Sequence, residues 1–330
     1  MWCKTLVIYR DGGCGPRVLL GGQPERLGRG WRRISELVIK GRIVKAISGF
    51  YYVYTEELRV RSCRARGVFK KRGVKPVVGD HVDVEPIGLE EGTVVQVAPR
   101  RNLMTRPVVA NVDQVLLVFA LADPPLSLYQ VDKLLAAVEC ESIACALVFT
   151  KLDLPGAVED FGRVSAIYGP LGYEVCALAL PEEQGGEALR ALLGGRVTVL
   201  AGQSGVGKST ILRNLLPGAS ATPGALSERS GRGKQTTTHV ELFAYAGGFV
   251  ADTPGFSQID LTQLELTDLR RLFREIDSIS QECEFRGCLH ETEDGCAVRP
   301  AAASGRMTAS RYDHYLQLLS ELKEAKARRY

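Results

Sequence analysis

The stretch Gly202-Gln203-Ser204-Gly205-Val206-Gly207-Lys208-Ser209-Thr210 constrains this chain more than any other. It follows an apolar run at residues 197–201 and leads into a helix-like segment, 210–216, that Pro217-Gly218 closes. Strand, glycine-rich turn and helix start are the context of a phosphate-binding loop. Gly202, Gly205 and Gly207 let successive backbone N–H groups converge on phosphate oxygens, and the helix start adds partial positive charge. Lys208 is placed to reach the β- and γ-phosphates and so to act in catalysis. The Ser209 hydroxyl is placed to ligate Mg²⁺. A chance glycine-rich turn would not come with both flanking elements. The loop predicts a nucleoside triphosphate site within an α/β sheet.

Two further strand ends select the nucleotide. Thr150-Lys151-Leu152-Asp153 closes a buried run, where open α/β sheets place ligand contacts. A carboxylate there accepts two hydrogen bonds from the ring N–H and exocyclic amine of guanine, which adenine lacks, so Asp153 favours GTP over ATP. Asp252-Thr253-Pro254-Gly255 closes another run, with Asp252 holding Mg²⁺ through water and the Gly255 N–H reaching the γ-phosphate. Gln235-Thr236-Thr237-Thr238 lies between them and offers a switch threonine to the same metal. Thr237 is the candidate, with Thr236 and Thr238 open as alternatives. In ordinary small GTPases the guanine motif follows the other two motifs; here it comes first. Relocating the chain ends to surface loops leaves the sheet's neighbours intact.

Around this centre the chain reads as four parts. Residues 1–37, broken by glycines and rich in arginine, are read as a disordered or loosely attached extension. Residues 38–106 alternate five or so short β-like runs with turns, as in a small OB-type barrel. Within them Arg61, Arg64, Arg66, Lys70, Lys71 and Arg72 surround Phe69, a composition suited to RNA, with a solvated loop as the competing reading. Residues 107–262 alternate buried strands and helices and carry the nucleotide motifs. Residues 263–330 contain helical patterns at 264–276 and along Tyr312, Tyr315, Leu316, Leu319 and Leu322. The fold class expected is multidomain α/β: a β-barrel, a circularly permuted P-loop GTPase domain and a helical zinc-binding domain.

The longest fully apolar run, 115–122, is too short to cross a bilayer. No export signal is recognised, and nine cysteines then fit a reducing, cytoplasmic setting. Cys140, Cys145 and Cys176 lie in apolar segments and read as core residues. Cys283, Cys288, His290 and Cys296 are different: the spacing C-x4-C-x-H-x5-C in a polar, turn-rich segment suits one tetrahedral Zn²⁺. So small a segment would depend on that metal to hold together. The net charge of +4 permits an anionic partner without demanding one.

The order of these motifs resembles the ribosome small-subunit-dependent GTPase A family, the circularly permuted GTPases of bacterial ribosome assembly. The resemblance runs from about residue 38 to the C-terminus. It implies binding as a monomer, free of membrane, to the 30S subunit and its 16S rRNA late in maturation. It further implies GTP hydrolysis to GDP, stimulated by the subunit and coupled to release. Two departures stand out. A histidine common in the family before the switch threonines is Gln235 here, the candidate for placing the attacking water. The base-contacting loop near residues 177–180 lacks its usual serine. Phe256, like its family counterparts, is apolar where ordinary small GTPases keep a water-orienting glutamine. A non-hydrolysing, GTP-regulated rRNA-binding factor is the alternative, and an ATP-dependent kinase is disfavoured by Asp153.

Overall fold

The computed structural model describes residues 38–67, 69, 73–179, 185–216, 240–252 and 264–328, Asp252 by its backbone alone, plus two short paired strands at Ile8–Tyr9 and Arg17–Val18. The readings made for the rest of 1–37 and for Lys70, Lys71, Arg72, Leu180, Gln235, Thr236, Thr237, Thr238, Gly255 and Phe256 lie outside the described residues. The chain divides into two compact units: residues 1–103, 108–111 and 239–241, and residues 104–107, 112–238 and 242–330.

The first unit is a closed five-strand barrel. Strands β1 (Ile39–Ile47), β2 (Phe50–Thr55), β3 (Val60–Ala65), β4 (His81–Ile87) and β5 (Glu91–Val97) run in the order β1-β2-β3-β5-β4. Pairing of Ile39 with Val84 brings β4 back to β1 and leaves no edge within the ring. Ile43, Val53, Cys63, Val82, Val84 and Val94 fill the interior, as period-2 alternation requires. Gly41 is needed for closure, since a Cβ there would meet Val53 Cγ1 at 2.5 Å and Tyr54 O at 2.8 Å.

Two members of the expected RNA-facing cluster turn inward. Arg61 is buried, donating to Gly88 O at 2.9 Å and to Glu57 Oε2 at 2.9 Å. Phe69 is buried as well and offers no stacking face. The pleat decides this: residues 61 and 63 of β3 share the inward side, and charge density along the sequence carries no information about facing. Arg64 does face outward, its guanidinium 4.6 Å from the centre of the Phe50 ring.

The second unit holds a mainly parallel sheet. Its strands are β6 (Gln114–Ala120), β7 (Ala144–Thr150), β8 (Glu174–Leu178), β9 (Val197–Ala201), β10 (Glu241–Tyr245) and β11 (Gly248–Asp252). The order across the sheet is β8-β7-β6-β9-β11-β10. The crossovers are α1 (Leu128–Cys140), α2 (Ala157–Tyr168) and α3 (Gly186–Leu193). The glycine-rich turn leads from β9 into α4 (Lys208–Leu215). Both faces are covered. Leu116, Val118 and Ala120 pack with Leu189, Leu192, Ile211 and Leu212 on one side, while Phe119, Phe149 and Phe161 stack on the other. That double burial explains why β6, β7 and β9 read as mostly apolar runs. Cys145 is buried as expected, but Cys140 is exposed, because it occupies the last position of α1.

The pattern at residues 264–276 is not one helix. A 3₁₀ segment, Leu266–Leu272, gives way at extended Phe273 to α5 (Arg274–Ser280). With α6 (Val298–Ala303) and α7 (Ala309–Ala327) these elements form an apolar core of Leu269, Phe273, Ile276, Val298, Tyr315 and Leu319, which also takes Ala136 and Ala137 from α1. Metal is therefore not the sole support of this segment. Beside the core lies a buried charge cluster. Arg311 donates to Asp132 Oδ1 and Glu275 Oε1, both at 2.6 Å, and Asp132 also accepts from Tyr168 OH at 2.7 Å.

Candidate functional site

The chain runs from β6 outward to β7 and β8, then jumps to β9 on the other flank of β6. Ligands in open α/β sheets bind beyond the strand C-termini at such a switch point. The glycine-rich loop leaves β9 at this place. Gly202 has φ 140°, Gly205 84° and Gly207 100°, conformations that L side chains resist. At Gly202 space is also short, since a Cβ would lie 2.2 Å from Val118 O on the neighbouring strand. Gly202→Ala is expected to cost about 2 kcal/mol or more, a combination of strain and overlap. Thermal unfolding checks this, and an unchanged melting temperature would contradict the geometry.

Within the loop Lys208 Nζ donates to Gly202 O at 2.8 Å and Gln203 O at 2.6 Å, so the ammonium spans the concave side. Ser204, Gly205 and Ser209 are exposed at the mouth, while Val206 is buried beneath. Backbone N–H groups, an ammonium and a helix start converge here, an arrangement suited to polyphosphate. Asp252 ends β11, next to β9, and Thr210 lies in the first turn of α4.

The guanine motif comes to the same end of the sheet. Thr150 closes β7, fully buried, and its hydroxyl donates to Val206 O at 2.6 Å, with Phe119 O at 3.2 Å as a weaker alternative. The hydroxyl thus ties the Thr150-Lys151-Leu152-Asp153 turn to the glycine-rich loop. Asp153 stands exposed in the turn beyond, whose path is fixed by Leu152 N donating to Leu178 O and Leu154 N to Lys151 O. Lys151 adopts φ 62° and its Nζ donates to Asp123 O, a partner the sequence reading missed. The signal was present in Asp123-Pro124-Pro125, a turn cluster between strand and helix. Near the serine-less loop, the backbone carbonyl of Leu178 accepts from Leu152 N and so holds the loop against the turn that carries Asp153.

The four zinc candidates also converge. Their ligand atoms all lie within 4.8 Å of one another. Sγ of Cys283 and of Cys296 are each 3.6 Å from His290 Nδ1. The edge between sulfur and nitrogen in a tetrahedral zinc site is about 3.6 Å, from the usual bond lengths, so the donor set fits the metal through Nδ1. Burial pushes the Cys288 thiol up to about 12 and holds the His290 imidazole below its ordinary range. A neutral imidazole is ready to ligate, and a cation would displace the thiol proton. The surrounding loop is held from several sides. Ala297 N donates to Cys283 Sγ at 3.4 Å, Tyr312 OH to His290 O at 2.7 Å and Tyr315 OH to Leu289 O at 2.9 Å. The Glu293 carboxylate accepts from the backbone N–H groups of Leu289, Glu291 and Thr292. Burial alone would raise its pKa, but those donors bring it down to about 2.

Comparison with known proteins gives a consistent result. Residues 97–262 match the RsgA GTPase family and residues 40–94 the RsgA N-terminal domain. The small ribosomal subunit biogenesis GTPase RsgA of Geobacillus thermodenitrificans is 45% identical over 291 residues, 88% of this chain and 99% of that protein. Its counterpart in Shouchella clausii is 43% identical over 291 residues, with the same coverage. Among solved structures, YloQ, described as a circularly permuted GTPase, aligns with TM-score 0.75 and 34% identity over 88% of this chain and 96% of that one. YjeQ from Thermotoga maritima aligns with TM-score 0.75 and 32% identity over 87% and 99%.

Proposed function

The chain belongs to the RsgA family of circularly permuted GTPases, and from that premise we propose that this GTP hydrolase acts on the small ribosomal subunit late in its assembly, with turnover stimulated there and coupled to release. The observation that supports the nucleotide chemistry is the 2.6 Å hydrogen bond from Thr150 to Val206 O, which ties Thr150-Lys151-Leu152-Asp153 to the glycine-rich loop despite their inverted order.

In this reading Asp153 accepts from the ring N–H and exocyclic amine of guanine, and Lys151 lies along the base. The N–H groups of Gly202 to Thr210 hold the phosphates, and Lys208 turns its ammonium from loop carbonyls to the β- and γ-oxygens. Mg²⁺, when bound with the nucleotide, neutralises phosphate charge; Ser209, Asp252 and a threonine of 236–238 would hold it. Water attacks the γ-phosphorus, the bond to the bridging oxygen breaks, and GDP and phosphate form. The γ-contact from Gly255 and the water-placing amide of Gln235 complete the assignment. A zinc ion held by Cys283, Cys288, His290 and Cys296 would have a structural role, since four protein donors would leave no position open for substrate.

Two measurements test this. Purified 30S subunits are expected to raise kcat by about two orders of magnitude, the scale of supplying a positioned catalytic group. Gln235→Ala should lose most of that gain while GTP binding persists. Equal kcat with and without subunits would leave a passive GTP-regulated binder as the better description. Separately, Thr150→Val should weaken GTP binding by about tenfold, the effect of removing a buried hydrogen bond that sets the spacing between two halves of a site. Unaltered affinity in that variant would leave the tie without a role in recognition.

A further inference from the structure

Residues 38–106 carry fourteen Lys and Arg against seven Asp and Glu, yet four of those seven acids sit at one tip of the barrel. The tip consists of the turn between β2 and β3, Glu56-Glu57-Leu58-Arg59-Val60, and the turn around β4 and β5, Ile87-Gly88-Leu89-Glu90-Glu91. The two turns are adjacent: Ser62 N donates to Glu90 O at 2.8 Å, and Ile87 pairs with Glu91, which pairs with Ser62. Four large apolar side chains stand out from them, Leu58 76% exposed, Val60 52%, Ile87 58% and Leu89 74%. All four glutamates are exposed too, with Arg59 and Lys40 the nearby exposed cations.

The tip is built rather than incidental. Arg61 is buried beneath it, with one guanidinium nitrogen on Gly88 O and the other on Glu57, so a single cation pins the two turns together. Its Nε has no hydrogen-bond partner among the described residues, a cost accepted to keep the turns in register. Phosphate would meet carboxylates here, so the tip is the part of a basic barrel least suited to RNA. Exposed apolar side chains beside four exposed carboxylates fit a protein segment that carries its own apolar residues between lysines or arginines.

We propose that this tip docks a basic, apolar-anchored segment of a small-subunit protein, so that the barrel touches protein at one end while its basic flanks remain for RNA. The proposal rests on subunit binding as read above. The test uses the full chain with p-benzoylphenylalanine in place of Leu89, bound to purified 30S subunits, irradiated and analysed by mass spectrometry. The expected result is a crosslink to a Lys- and Arg-rich segment of a ribosomal protein. Leu89→Glu, and independently Leu58→Glu, should weaken subunit association by about tenfold, as loss of an interface anchor does, with GTP affinity and melting temperature unchanged. Crosslinks to 16S rRNA, to residues 1–37 of the same chain or to a second copy would overturn the proposal. So would co-sedimentation with the subunit without any crosslink. Failure to co-sediment at all would instead overturn the functional reading, and this proposal with it.

Discussion

Asp153→Asn is expected to lower GTP affinity more than a hundredfold and to turn preference toward xanthosine triphosphate. The carboxylate would accept two hydrogen bonds from guanine, and bonds to a charged acceptor are worth about 1.5–3 kcal/mol each. Losing one such bond, weakening the other to a neutral acceptor and setting N–H against N–H together cost about 3 kcal/mol, which is over a hundredfold in binding. An amide would present an N–H to guanine's amine, a mismatch that the 2-oxo group of xanthine relieves. The turn that carries Asp153 is held by main-chain bonds from Leu152 to Leu178 and from Leu154 to Lys151, so the substitution changes chemistry and leaves placement alone. Titration of the variant with both nucleotides, beside its melting temperature, decides the matter. Unchanged GTP affinity would remove Asp153 from base recognition.

The second large effect concerns the metal. The purified protein should hold one zinc per chain, and Cys288→Ser should lose it. Serine is a poor ligand for zinc, and the site has no spare donor among its four. The damage should stay near residues 281–297, because α5, α6 and α7 keep their apolar core with Ala136 and Ala137, and GTP affinity should persist. Full zinc content in the variant would contradict the four-ligand site. Glu293 adds a pH signature. Its carboxyl lies near 2 against an ordinary 4.5, so its contribution is complete above about 4.5 and is lost as pH falls toward 2. Glu293→Gln should therefore lower the melting temperature at pH 7 and converge on the parent as the medium approaches pH 2. A gap independent of pH would remove the carboxylate's charge from the explanation.

Local rules made part of this molecule readable from residues alone. Gly202, Gly205 and Gly207 are dictated by positive φ, and the Cys/His spacing suits tetrahedral donors, so both stand out from the residues alone. The mostly apolar runs of β6, β7 and β9 announced strands covered on both faces. What stayed hidden depends on facing and on distance along the chain. Arg61 looks like its outward neighbours Arg64 and Arg66 until the barrel's pleat turns it inward. Thr150 looks like part of a base-reading motif, yet its hydroxyl serves a carbonyl 56 residues away. The break at Phe273 is set by a core that forms only once α1 and α7 are in place, and helical periodicity runs straight through it.

Arg311 has a consequence for what counts as the smallest autonomous piece of this protein. Its guanidinium, 1% exposed, joins Asp132 on α1 to Glu275 on α5, across 179 and 36 residues of sequence. Cutting the chain after residue 262 would strip Asp132 of its buried counter-ion and uncover Ala136 and Ala137. Breaking one side of such a pair typically costs about 3–5 kcal/mol, a large share of what holds an ordinary domain together. The sheet of residues 114–252 and the helices of 274–327 should thus unfold together, although the sequence motifs that mark them look like separate modules.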